Sequence, residues 1–104
     1  MAYTQQTVTI PNRMYGDRIV TAYCKGGLGV HRMHKQWQIV HVASGANVGG
    51  RNGGDRRTRK GAYAVLEALL AVPVDWTKPF EEIRNEVQAH RGQILKAVAT
   101  SPSL

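Results

Sequence analysis

At 104 residues with 42% hydrophobic side chains, the chain has the size and composition of one folded domain; two separate cores would each be too small to offset their conformational entropy. Cys24 is the only cysteine, which excludes an internal disulfide or a multi-cysteine zinc centre and suits a reducing compartment. No run of 18 apolar residues is present and the first thirty residues lack a secretory pattern, so a cytoplasmic protein without a membrane span is expected.

The formal net charge of +7 is unevenly spread. Residues 1–60 hold ten Lys and Arg against two acids, and residues 61–104 hold four against five. A chain divided in this way has one side suited to a polyanion and one nearly neutral packing side, and nucleic acid is the commonest polyanion in a cell.

In chain order, Thr7–Ile10 alternates polar and apolar residues before Pro11-Asn12, and Arg18–Cys24 is rich in β-formers between Gly16-Asp17 and Gly26-Gly27. Leu28–Met33 and Trp37–Ser44 form the two arms of a hairpin. Both faces of the latter carry bulk, which places it inside the sheet. Residues 45–60 are a Gly- and Arg-rich basic loop with five glycines between Gly45 and Gly54. Thr58 is a helix N-cap candidate. Ala62, Val65, Leu66, Leu69 and Leu70 then make the stripe of an amphipathic helix over 61–72, which Pro73 ends. A second helix over 78–99 follows Pro79, with Glu81 and Glu82 at its positive end and Phe80, Ile83, Val87, His90, Ile94 and Val98 on one face. Residues 100–104 form a frayed tail. The expected fold class is α+β: a small antiparallel sheet of three to four strands followed by two helices packed on one face, in a single domain over 1–104.

The stretch Arg51–Lys60 has five cations against one acid and leads straight into the first helix. Arg59 and Lys60 fall in its first turn, where the helix dipole disfavours cations by about 0.3–1 kcal/mol each. The same geometry aims free amides at an arriving anion, so the placement suits a phosphate ligand. Arg51, Arg56, Arg57, Arg59 and Lys60, with Arg32 and Lys35 from the hairpin, are the candidate nucleic-acid-binding residues. The loop lacks the lysine–hydroxyl pair of a Walker phosphate loop and the spacing of a dinucleotide fingerprint.

His31, His34, His41 and His90 show no metal-ligand spacing; His31 and His34, beside Arg32 and Lys35, extend the positive surface. No paired carboxylates or nucleophile with its base stand out, and Cys24 fits a small buried hydrophobe. No catalytic residue, metal or cofactor is assigned. Trp76 fits a cap on the core, Trp37 and Tyr23 are assigned to packing, and Tyr15 to the surface.

Arg59–Leu70 together with Trp37–Ser44 is loosely similar to double-stranded-RNA-binding domains and to the three-stranded DNA-binding domains of tyrosine integrases. That resemblance implies nucleic-acid contact, although Met1–Ile10 forms a strand where the first family has a helix. The expected function is a small non-enzymatic protein binding DNA or RNA through its phosphates. The alternative is a phage- or plasmid-type inhibitor or adaptor whose basic loop docks on an acidic protein surface or on a protein's nucleic-acid-binding cleft. Homodimerisation is a further expectation for a core this modest.

Overall fold

The computed structural model describes residues 3–11, 14–33, 35–48 and 56–99. The strands are β1 (Thr4–Ile10), β2 (Arg18–Lys25), β3 (Leu28–Met33), β4 (Gln36–His41) and β5 (Ala46–Asn47). The helices are α1 (Arg59–Leu70), α2 (Phe80–Ala89) and α3 (Arg91–Val98). The sheet runs β1-β2-β3-β4-β5 with every neighbour antiparallel. The α+β class expected from the sequence holds, with five strands among the described residues in place of three or four and three helices in place of two.

Each departure has a local cause. β4 stops at His41, short of Ser44, because the chain reverses there. The Ser44 and Gly45 amides both donate to the His41 carbonyl, and Gly45 takes the left-handed φ of +74° that the reversal requires. The returning β5 is two residues long, too short to show periodicity. The helix expected over 78–99 is two helices joined at His90, whose φ of −108° and ψ of 21° leave the helical region. Unbroken, its 22 residues would run about 33 Å, nearly the 35 Å longest extent of the molecule. The bend turns α3 back onto α1. α1 begins at Arg59 and ends at Leu70, two residues earlier at each end than the expected 61–72, and Arg59 and Lys60 stand in its first turn as expected.

Alternation sorts the sheet residues onto two faces. On the helical side, Leu28, Val30 and Ile39 pack with Ala62, Val65, Leu66 and Leu69 of α1, with Ile83 and Val98, and with Trp76 of the α1–α2 connection. The Trp76 indole N–H donates to the Leu69 carbonyl at 3.1 Å. His41, on the same face, ties this connection to the sheet. Its Nε2 lies 2.9 Å from the Trp76 carbonyl and 3.0 Å from that of Lys78. Two acceptors at Nε2 place a ring proton there, and Nδ1 is hydrogen-bonded to the Ser44 hydroxyl at 2.7 Å.

The other face of the sheet has a core of its own. Val8, Ala22, Cys24 and Val40 are buried together, flanked by Ile10, Val20 and Val42, so the β1–β2 arm curls over β3 and β4. Gly29 permits the curl: a Cβ there would stand 2.9 Å from Cys24 Sγ and 3.1 Å from Ala22 Cβ. At the far end, Gly45 lies against the Thr9 carbonyl and Pro11.

Candidate functional site

α1 opens with Thr58 extended at φ −123°, ψ 153°, its hydroxyl accepting from the Gly61 amide at 3.0 Å. This is the N-cap expected for that threonine. Ala62 donates to the Thr58 carbonyl, and helix geometry gives the amides of Arg59 and Lys60 no partner in the ladder. The first turn contains no acid. Arg57, Arg59 and Lys60 are exposed here, at the positive end of the dipole.

Arg59 does not extend freely from this end. Its guanidinium carbon lies 4.8 Å from the ring centre of Tyr23 on β2, 5.8 Å from that of Trp37 on β4 and 5.9 Å from that of Tyr63, one turn further along α1. All three rings are half-buried. The sheet register accounts for the gathering. Tyr23 pairs with Val30 and Val30 with Ile39, both in the helix-side core, so Tyr23 and, two residues before Ile39, Trp37 face the same side. Arg32 pairs with Trp37, shares that face and is exposed.

A second group continues the row along α1. Tyr3 and Tyr63 have ring centres 4.2 Å apart, the Tyr3 hydroxyl donates to Glu67 at 2.7 Å, and Lys25 Nζ meets the same carboxylate oxygen at 2.8 Å. Burial, then the bond to Glu67, pushes the Tyr3 hydroxyl well above its ordinary pKa. Hydrogen bonds from Lys25 and from Tyr3 hold the Glu67 carboxyl below its ordinary value. Burial also raises the Tyr63 hydroxyl, against the pull of the Arg59 charge.

The structure thus brings together Arg57, Arg59 and Lys60 at the start of α1 and sets Arg32 on the adjoining sheet face. Lys35 is exposed in the turn between β3 and β4. Arg56 has a part in the fold as well. Its backbone exchanges two hydrogen bonds with Trp37, extending the sheet edge beside β4, and its Nη2 donates to the Val98 carbonyl at 2.8 Å. Arg51 and His34 lie outside the described residues. His31 is corrected: it is only 1% exposed, on the face opposite the helices, and does not extend the positive surface. Side-chain alternation along β3 turns it inward while Arg32 faces out.

Trp76 and Cys24 are buried as expected, and Tyr15 is 85% exposed. Burial pushes the Cys24 thiol up, away from the reactive thiolate. Tyr23 and Trp37, assigned to packing from the sequence, are only half-buried and stand under Arg59. Tyr63 receives no role from the sequence; its spacing of four residues from Arg59 on a helix is the signal that could have supplied one.

Among the described residues, no three His, Cys, Asp or Glu side chains converge on a point that could hold a metal ion, and no helix is long and apolar enough to cross a membrane. Compared with known proteins, the chain matches no family model, and no significant similarity to a curated protein or to a solved structure is found.

Proposed function

We propose that the chain is a small nucleic-acid-binding protein that works by binding, without chemistry of its own. Arg57, Arg59 and Lys60 at the start of α1 contact the phosphate backbone, with Arg32 and Lys35 from the β3–β4 hairpin on one side and Arg51 from the preceding basic stretch. The observation that carries this reading is the Arg59 guanidinium, held over three rings at a helix start that contains no acid. The helix dipole taken alone favours Asp or Glu at that position, as α2 has with Glu81 and Glu82. A cation there, beside amides with no ladder partner, is suited to an anion.

The test is fluorescence anisotropy of labelled DNA and RNA across a salt series. The wild type is compared with a variant in which Arg57, Arg59 and Lys60 are replaced by Ala and Arg56, which bonds to Val98, is left in place. Each cation withdrawn from a phosphate lowers the log–log salt slope by about 0.7–0.9, so the triple substitution is expected to reduce it by about 2–3 units. An unchanged slope removes these residues from the reading. Failure to bind any polymer near physiological salt, with capture of a protein from nuclease-treated lysate, favours the basic loop as a protein-docking element.

A further inference from the structure

The aromatic half of this surface is not needed for holding phosphates. A duplex presents its backbone to cations and keeps its base faces stacked inside, so partly buried rings that keep some exposure beside the basic residues have no counterpart on it. A single strand exposes both, and sites for single strands combine cations with ring faces on which bases stack. Here Tyr23 and Trp37 present their rings to the same guanidinium from two strands of the sheet, with Arg32 directly across from Trp37. Tyr63 already stacks on Tyr3, whereas Tyr23 and Trp37 have the Arg59 guanidinium carbon 4.8 and 5.8 Å from their ring centres.

We infer that the ligand is single-stranded nucleic acid, with Arg59 exchanging its place over Tyr23 and Trp37 for a phosphate while the attached base takes the ring faces it leaves. This rests on the nucleic-acid-binding reading above and narrows it. The exchange is favourable because an exposed cation–ring contact is weak beside a guanidinium–phosphate pair, and the uncovered rings gain a base in its place. Stacking on a ring face does not depend on the identity of the base, so the surface should tolerate many sequences.

Tryptophan fluorescence tests the inference on the intact protein. Trp37 is half-buried in the site, whereas Trp76 is 5% exposed within the core and serves as an internal reference. Oligo(dT), oligo(rU) and a duplex of matched phosphate count are titrated at one salt concentration. Both single strands are expected to bind more tightly than the duplex and to quench emission, with the quench abolished in Trp37→Phe; the preference between dT and rU tells DNA from RNA.

Tyr23→Leu keeps an apolar side chain over α1 and removes the stacking face. It should weaken single-strand binding about 5- to 150-fold, the equivalent of one base stack, while leaving the salt slope unchanged. Duplex binding as tight as single-strand binding with no Trp37 quench overturns the inference and leaves the phosphate reading standing. Absence of binding to all three polymers overturns both. The polymer ranking is read on the wild type, and circular dichroism of each variant shows that it is folded before its loss of quench or affinity is counted.

Discussion

Gly27 is the position where adding a single methyl group should be most costly, and the structure sets the scale. In the turn between β2 and β3, Gly26 and Gly27 both take positive φ, +62° and +90°, the pair of left-handed residues that a two-residue hairpin turn requires. An alanine at such a position costs about 1–2 kcal/mol in backbone strain alone. At Gly27 the new Cβ would also press on the backbone of the α1–α2 connection, too close to the Trp76 carbonyl and 2.6 Å from the Thr77 amide nitrogen. Relief means moving that backbone by about an ångström in a close-packed interior. The same carbonyl accepts from His41 Nε2, and the attached indole fills the core. Breaking that buried hydrogen bond adds about 1–3 kcal/mol, for a total of about 2–5 kcal/mol.

Two neighbours calibrate the figure. At Gly16, with φ +80° and nothing within 4 Å of an added Cβ, only the strain applies. At Gly26 the added carbon meets the flexible end of Leu70, which can turn aside. Urea unfolding of the three Gly→Ala variants, followed by circular dichroism, should therefore rank Gly27 far above Gly26, and Gly26 at or slightly above Gly16. A Gly27→Ala variant within about 1 kcal/mol of Gly16→Ala would refute the packing of the connection against the turn, since its only remaining cost would be the strain.

Arg56→Ala should cost about 1–2 kcal/mol through the half-buried bond to the Val98 carbonyl, whereas exposed Arg57→Ala should change stability by less than about 0.5 kcal/mol; chemical denaturation separates the two. Glu67→Gln should cost no more than about 1 kcal/mol near neutral pH, because its ion pair with Lys25 is largely solvated. The sign of its pH dependence follows from the depressed carboxyl. The contribution is complete above the ordinary value of 4.5 and is lost as pH falls through the lower folded value, so wild type and variant should converge in acid. The raised Tyr3 hydroxyl acts in the opposite direction, with its contribution complete below pH 10 and declining progressively as pH rises from there toward the raised folded value. Thermal melts of wild type and Glu67→Gln between pH 3 and pH 11 would check both limbs.

Most of the framework was legible because it rests on periodicity. Alternation found β2, β3 and most of β4, and the stripe of Ala62, Val65, Leu66 and Leu69 found α1, where all four are buried. β1 begins three residues before the alternating Thr7–Ile10 segment, because Thr4, Gln5 and Gln6 are exposed and give no apolar signal. The break at His90 was hidden because Ile83, Val87, Ile94 and Val98 keep helical spacing across it. The curl that buries Val8, Ala22, Cys24 and Val40 depends on where the β1–β2 arm travels, which no local pattern specifies.

The candidate site divides in the same way. Its charges are a matter of composition and stand out in Arg51–Lys60. The enclosure of Arg59 by Tyr23, Trp37 and Tyr63 joins three elements through the sheet register. The bond from Arg56 to Val98 spans 42 residues and could not be seen in the sequence.

On the proposed reading, nucleic acid binds at the start of α1 and on the adjoining face of the sheet. Titrating isotope-labelled protein with a short oligo(dT) near physiological salt, and following amide and indole NMR signals residue by residue, tests it most directly. The largest shifts are expected on Tyr23, Arg32, the Trp37 indole and Arg57–Lys60, with the Trp76 indole unmoved. Shifts concentrated on α2 and α3, or none at these residues at saturating oligonucleotide, would contradict it.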